Sequence, residues 1–433
     1  MRKGVKDMVE YTQCLDGFQV VRCEVMETGG IPEDGLSGLA RLSVRDGRKR
    51  TLNVWVERRG PCRCPLCGSA HVSEYAGRER SVRGLMEGGC PTVIHFTPHV
   101  VYCRSCRARK TERVPFLSRP KARLTEALER TVVALRGEMT ISAVADYYDL
   151  DWETVKDTEK RSLAREYADV PLDKVTAIGI DEIQAFPGAR GAANQFVTVA
   201  RELRTGAVLC VADGKGSEAL RAFGERLAPF RENVEFVCMD MSNAYEKWAR
   251  EFLPRAEVVF DHFHLVKAMN EKVNAVRRRA AAGMDAELRK AVKGCRRILT
   301  ANAESLDGDG KARLAAVRGA FGELSDAYAM KEMLRGIYSF ASIEYSARLL
   351  LEDWCETARM TKVPELESMA RTVESHLEGI LGYWRHAGAS NASSEGFNTK
   401  IRRLIQQAYG LRDREYFRLK VFALPKQKAR RGL

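Results

Sequence analysis

Lys174-Val-Thr-Ala-Ile-Gly-Ile-Asp181-Glu182 is an apolar run that closes on two acids. The pattern returns in Val234-Glu-Phe-Val-Cys-Met-Asp240 and again in Glu257-Val-Val-Phe-Asp261-His-Phe-His264. Short runs rich in Val and Ile, ending abruptly, read as buried strands. Two further strands, 195–203 and 207–212, meet across Thr205-Gly206. Helices follow at 217–227 and 244–252. Three strands on short turns, then a helix–strand–helix–strand alternation, predict a mixed sheet of the RNase H-like kind rather than a wholly parallel one. In that topology the first and fourth strands are neighbours, which brings Asp181 and Asp240 together at strand ends. Two carboxylates that close repel unless a cation lies between them. Hard oxygen donors with open coordination suit Mg²⁺ or Mn²⁺, and a metal pair so held serves in-line phosphoryl transfer. On residues alone Asp261 rivals Asp240, because both end a strand.

Upstream, the residues change character. Pro115 and Pro120 precede a helical stretch at 124–136, Thr140 can cap a short helix at 141–148, and Asp151 can cap a third helix from Trp152. Ala143, Val144, Leu150, Trp152 and Val155 are spaced as the core of a helix-turn-helix, whose third helix would lie in a DNA major groove. The acids Glu153, Asp157 and Glu159 offset Lys156, Lys160 and Arg161, which counts against direct base reading there. Before this module, 18–26, 39–45 and 51–57 read as hairpin strands. Cys64-Pro-Leu-Cys67 and, after 35 intervening residues, Cys103-Arg-Ser-Cys106 have the spacing of a structural Zn²⁺ site, with 93–103 as one strand delivering the second pair. Cys62 is a rival first ligand, and Cys90, His71, His95 and His99 are further donors.

Downstream, 265–382 is helical throughout, broken at Asp307-Gly308-Asp309-Gly310 and at Pro364, with Arg277-Arg278-Arg279 and Arg296-Arg297 on polar faces. After a small-residue loop, Glu395 opens a helix on which Asn398 and Arg402 recur at helical spacing. A first-turn Glu is also an ordinary complement to a helix dipole. Tyr383 and Trp384 suit a packed core better than base stacking, and Phe417, Leu419, Val421 and Phe422 pack the last segment.

The charge is concentrated. Residues 101–123 carry +7 and 396–433 carry +9, against +13 for all 433 residues, so the remainder is at −3. Two basic patches, with Arg104, Arg107, Arg109 and Lys110 in one and Lys400, Arg402 and Arg403 in the other, read as a phosphate-binding footprint. No apolar leader opens the sequence and no run of ~18 apolar residues interrupts it. A cytoplasmic protein with no membrane partner follows, and its twelve cysteines point to metal rather than disulfides.

Taken in order, the paired-Cys module, the helix-turn-helix, Asp181-Glu182, Asp240-Met-Ser-Asn-Ala-Tyr245, Asp261-His-Phe-His264-Leu-Val-Lys and Ser394-Glu395-Gly-Phe-Asn398-Thr-Lys-Ile401 resemble the ISL3 family of bacterial insertion-sequence DDE transposases. The resemblance implies a catalytic triad of Asp181, Asp240 and Glu395 holding two Mg²⁺ or Mn²⁺ ions, with Asp261 and His264 in support. It also implies DNA cleavage and strand transfer on element ends. Partners would be terminal inverted repeats, target DNA and a second copy of the chain or a larger assembly. The expected layout is a multidomain α+β chain: a β-rich zinc-binding domain (1–119) and a helix-turn-helix (120–168). These precede an RNase H-like α/β core in two parts (172–264 and 383–433, the latter with a basic tail), interrupted by an all-α insertion (265–382). The competing expectation is a zinc and helix-turn-helix DNA-binding regulator with an inactive core.

Overall fold

The computed structural model describes residues 8–10, 12–29, 44–45, 48–186, 195–282, 294–388, 392–407 and 413–425. Among these, the side chains of 44–45, 320, 392–395 and 407 are not described. The chain divides into two compact units, 1–168 and 169–433.

The first unit is β-rich. Strands β1 (Phe18–Thr28), β2 (Val44–Arg45), β3 (Arg48–Arg58), β4 (Val72–Ala76), β5 (Arg80–Glu87), β6 (Cys90–Phe96), β7 (His99–Cys103) and β8 (Arg109–Thr111) form two sheets, β1-β3-β6-β5 with β2 on β3, and β4-β7-β8. Alternation sends Phe18, Val20, Val54, Val56, Val82, Ile94 and Phe96 to one face of the larger sheet, where Phe116 meets Phe18 and Phe96 edge-on. The expected single strand over 93–103 is in fact two strands in different sheets. Pro98 has no N–H to give to a ladder, and its carbonyl instead accepts from Gly77 N–H at 2.9 Å, so the chain changes sheet there. Of the expected strand at 39–45, residues 39–43 lie outside the described residues.

Helices α1 (Glu126–Leu135), α2 (Ile141–Tyr148) and α3 (Trp152–Glu166) close this unit. Thr125 and Thr140 cap the first two through their side chains, and Asp149 ends α2 in the left-handed region at φ 54°. Asp151 sits at the start of α3 but makes no side-chain cap bond. Leu128, Val132, Val144 and Val155 form the core of the three helices. Two expected core residues do not belong to it: Ala143 is only half-buried and lies outside the cluster, and Trp152 is 48% exposed beneath the Lys156 ammonium.

The second unit begins with a five-stranded mixed sheet, order β11-β10-β9-β12-β13, from β9 (Ala177–Phe186), β10 (Gln195–Glu202), β11 (Val208–Asp213), β12 (Phe236–Met239) and β13 (Glu257–Phe260). β9, β10 and β11 are antiparallel neighbours, while β12 runs parallel to both β9 and β13. The strand expected to end at Asp181 continues to Phe186, because β10 pairs along it as far as Gln195↔Phe186. Helices α4 (Arg221–Leu227) and α5 (Asn243–Phe252) link the strands. A 3-10 turn at Ser217–Leu220 precedes α4, so the helix expected from 217 begins at Arg221. Trp248, Tyr245, Phe223 and Leu220 pack with Ile178 and Ile180.

Helices α6 (His262–Ala282), α7 (Arg296–Thr300), α8 (Gly308–Ala320), α9 (Gly322–Phe340), α10 (Glu344–Met360), α11 (Pro364–Ser375) and α12 (Leu377–Arg385) follow. Asp307 caps α8 by accepting from Gly310 N–H at 2.7 Å, so the Asp-Gly stretch starts a helix. Arg277, expected on a polar face, is buried and bonds Asn274, whereas Arg279 pairs with Glu323 and Glu365 at the surface. Trp384 stacks on Tyr338 and donates to Ala341 O at 2.9 Å, a packed role. Finally α13 (Ala392–Gln407) and α14 (Arg414–Ala423) return to the sheet: Phe397, Ile401, Phe417 and Val421 cover Ile183, Ala185, Val197 and Val199.

The approach of α12 to β13 depends on two glycines one turn apart. A Cβ on Gly379 would stand 2.4 Å from the Phe260 ring, and one on Gly382 2.9 Å from Val259 Cγ2. Gly379→Ala should therefore cost about 1–3 kcal/mol, as overpacked cores do. The urea midpoint should fall, whereas Gly319→Ala in α8, with nothing within 4 Å of its Cβ, should be neutral or stabilising by up to ~1 kcal/mol.

Candidate active site and metal centre

Parallel pairing sets the geometry of the second unit's site. Phe236, Val237 and Cys238 stand opposite Ala177, Ile178 and Gly179, while Phe236 to Met239 stand opposite Glu257 to Phe260. Carried on by two residues toward β9 and by one toward β13, the same registers put Asp240 level with Asp181 and with Asp261. The Asp261 N–H bonds Met239 O at 2.9 Å and continues the second ladder. In-register residues on neighbouring strands share a face. Asp181 in β9 and the residues just past β12 and β13, Asp240 and Asp261, thus form a row across three adjacent strands.

Each acid meets a different environment. Asp181 lies mid-strand, opposite Val199. Its Oδ1 accepts from Glu182 N–H at 2.8 Å and its Oδ2 from Asn398 Nδ2 at 2.6 Å, both neutral donors. Asp240 Oδ1 is buried with no hydrogen-bond partner. Among the described residues neither carboxylate has an ion pair. Burial raises the pKa of both, and the charges of Glu182 and Asp181 raise that of Asp240 further. Asp261 is 2% exposed and engaged: its Oδ2 meets His264 Nδ1 at 3.1 Å, and His262 Nδ1 lies 3.7 Å from Oδ1. The hydrogen bond to Asp261 raises the His264 pKa, with Asp181 and Asp240 adding to it, so this imidazole faces all three acids.

The third expected acid, Glu395, lies in the first turn of α13, and its side chain falls outside the described residues. The next turn of that helix is described. Asn398, three residues on and 5% exposed, reaches Asp181, while Phe397 packs in the core under the Arg201 guanidinium, 4.2 Å from its ring. Two residues quoted from the sequence without a role also enter the site. Tyr245 Oη donates to Glu182 Oε1 at 2.5 Å and meets Thr198 Oγ1 at 3.1 Å. Tyr245 and Glu182 both belonged to the runs that ended or followed the acids, and that was the available signal.

In the first unit the Sγ atoms of Cys64, Cys67, Cys103 and Cys106 all lie within 4.8 Å of one another. Cys64–Cys106 and Cys67–Cys103 are 3.6 Å apart, too long for a disulfide and close to the ~3.8 Å edge of a tetrahedron with 2.3 Å Zn–S bonds. Backbone N–H groups of Cys67 and Leu66 hold the Cys64 thiol below its usual range, and that of Cys106, with Ser105, brings Cys103 down to about 6. A four-cysteine cluster with such thiols is compatible with zinc. Cys62 lies elsewhere, grouped with Glu74 and His99. Its N–H donates to Glu74 and its thiol to Glu112, and burial pushes that thiol up to about 11. His95 stacks on Trp55 and bonds Asn53. Among the described residues the strand-end acids do not make a third grouping this tight.

Of the expected DNA-contacting residues, Arg104, Arg107, Arg109 and Lys110 lie at or near the surface around the four-cysteine cluster, and Arg402 and Arg403 are exposed on α13. Lys156, Lys160 and Lys400 are half-buried, and Arg161 turns toward Thr158 and Glu129. Among the described residues no helix is long and apolar enough to cross a membrane.

Residues 178–421 match the family model of the ISL3 transposases, and residues 112–160 match the model of the helix-turn-helix domain of transposase family ISL3. The transposase for insertion sequence element IS1001 of Bordetella parapertussis is 29% identical over 391 residues, spanning 89% of this chain and 94% of its own. The transposase for insertion sequence element IS1557 of Mycobacterium tuberculosis is 27% identical over 323 residues, 66% of this chain and 69% of its own. Among solved structures, the Drosophila P element transposase strand transfer complex aligns with a TM-score of 0.40 at 13% identity, over 72% of this chain and 95% of that one. With one family model covering more than half of its length and a second covering its three-helix module, the chain belongs to the ISL3 family of transposases.

Proposed function

We propose that this chain cuts and rejoins the ends of an insertion sequence by a DDE mechanism, with Asp181, Asp240 and Glu395 as the metal-holding acids. The observation that carries the reading is the row of Asp181 and Asp240 on adjacent strands, tied by Asn398 to the helix that bears Glu395. One helical turn is ~5.4 Å of rise, so an acid three residues before Asn398 belongs to the same helix face. The strand order, with three antiparallel strands and two parallel ones, supports an RNase H-like core over 172–264 and 383–433 with the helices of 265–382 as an insertion.

The donor set fits divalent cations. Asp240 Oδ1 is buried without a hydrogen-bond partner, and Asp181 is oriented by neutral donors alone. Among the described residues neither has a Lys or Arg paired to it that would compete with a metal. Bound there, a pair of Mg²⁺ or Mn²⁺ ions supplies the Lewis acidity that activates water, and then the freed 3′-hydroxyl, for in-line attack at phosphorus. Asp181, Asp240 and Glu395 would hold the ions through their carboxylates. His264, held by Asp261, presents a hydrogen-bonding edge toward the same space. In the first unit, residues 1–119 would fold around a structural Zn²⁺ and present Arg104, Arg107, Arg109 and Lys110 to phosphate. The helix-turn-helix at 120–168 would read the terminal inverted repeats, with Lys156, Lys160 and Arg161 on its third helix and Lys400, Arg402 and Arg403 of α13 following the cleaved strand. Two ends held at once call for a dimer or larger assembly.

The test is nicking and joining of labelled element ends with Mg²⁺. Asp181→Ala and Asp240→Ala should each lower nicking by roughly 10³-fold or more while end binding persists. Wild-type binding with no nicking in Mg²⁺ or Mn²⁺ would instead identify a DNA-binding regulator, and cleaved ends without joined products a nuclease. Separately, the purified protein should carry about one zinc per chain, as a site of four thiolates does. Cys103→Ser should lose that zinc and at least tenfold in end binding, whereas Cys62→Ser should keep the full zinc content.

A further inference from the structure

Asp181 is an acid that burial penalises, yet among the described residues it has no ion-pair partner. Its two oxygens are each held by one neutral N–H, from the Glu182 backbone and from the Asn398 side chain. The two bonds come from different elements. One belongs to the strand itself and turns with it. The other comes from α13, which is anchored to the sheet independently: Phe397 and Ile401 lie in the core with Ile183, Ala185, Val197 and Val199, and Arg201 closes over the Phe397 ring. Asn398 is 5% exposed, so its amide cannot trade Asp181 for water without moving the helix.

A neutral donor is the informative choice. A Lys or Arg at this place would also fix the carboxylate, but its charge would occupy the position that a divalent cation needs. An amide fixes one oxygen through one lone pair and leaves the remaining lone pairs of both oxygens available. Asp240 Oδ1, by contrast, is buried with no hydrogen-bond partner, so it is the oxygen with the most to gain from an ion. One acid is pre-oriented and the other is left open.

We infer that Asn398 is a positioning residue: its Nδ2–H locks the Asp181 carboxylate in a metal-ready orientation and couples the docking of the Glu395 helix to that orientation. This rests on the reading of Asp181 as a metal-holding acid. Removing the donor leaves Asp181 free to rotate away, so metal binding weakens before DNA recognition does.

The test uses the full chain with labelled element ends, comparing Asn398→Ala and Asn398→Leu with wild type and with Asp181→Ala. Leu keeps the heavy-atom count and branching of Asn but has no N–H, so it fills the site if Ala loosens the packing of α13. Two readouts are taken: the Mg²⁺ concentration for half-maximal nicking, and Mn²⁺ binding to the end complex followed by electron paramagnetic resonance. Loss of a hydrogen bond to a charged group predicts a shift on the order of tenfold to weaker metal in both, with end binding within about twofold of wild type. The proposal is overturned if either variant folds and shows unchanged Mn²⁺ binding and an unchanged Mg²⁺ midpoint while Asp181→Ala is inactive. It is equally overturned if end binding falls in parallel with nicking and the Mg²⁺ midpoint stays put, since that is the signature of lost helix packing. Nicking by Asp181→Ala at the wild-type rate would remove the underlying assignment instead, whatever Asn398 does.

Discussion

Parallel pairing of β12 with both of its neighbours is the constraint on which the second unit turns. In a ladder with a fixed register, a residue cannot choose its face independently of the residues level with it. Once Cys238 stands opposite Gly179, and Met239 opposite Phe260, the acids that follow are brought level with one another across neighbouring strands. Three carboxylates in one row are an electrostatic burden in a half-buried place. Sequence features that look unrelated can be read as responses to it: histidines flanking Asp261, a small polar amide facing Asp181, and an unpartnered oxygen at Asp240 Oδ1.

Those responses differ in kind, and the difference separates the acids. Asp261 is hydrogen-bonded to His264, whose pKa that bond raises. Asp181 and Asp240 have no such paired group among the described residues, and burial lifts both pKa values. A carboxylate with a hydrogen-bonded imidazole has its partner within the chain, whereas a buried carboxylate without one suits a cation better. This distinguishes Asp240 from Asp261, two residues that a strand pattern treats alike.

The strands, their order and the neighbouring positions of Asp181 and Asp240 were legible because apolar runs closing on acids, joined by short turns, admit few topologies. The end of β9 was not: nothing in Ile183 to Phe186 says whether β10 will keep pairing, and it does, leaving Asp181 mid-strand. The division of 93–103 between two sheets was carried by Pro98, which was visible, but the alternation of apolar residues on either side masked it. Helical periodicity put Glu395, Asn398 and Arg402 on one face, yet it could not say which neighbour that face meets; only the tertiary docking of α13 brings Asn398 to Asp181. Arg277 shows the same blindness in reverse, since a triple-Arg run reads as a solvated face until packing buries its first member.

The cysteines make a parallel case in the first unit. Cys62, Cys64 and Cys67 are equivalent thiols in the sequence, and spacing alone leaves open which of the first two pairs with Cys67. Position decides: the Cys64 Sγ lies within 4.8 Å of those of Cys67, Cys103 and Cys106, and the turn at Cys64-Pro-Leu-Cys67 aims the N–H groups of Cys67 and Leu66 at it. Two residues earlier the chain has no such turn: Cys62 is buried, and its thiol donates toward the Glu112 carboxylate, whose charge opposes ionisation. Arg58 pairs with that carboxylate, and His99 bonds it from the other side, so the cluster is already satisfied internally. The small β4-β7-β8 sheet has few buried side chains of its own, Val101 and Cys103 among them, and so lacks the apolar area to fix its turns. The four clustered thiols join the turn before β4 to the turn after β7, where a structural metal would supply what the sheet lacks.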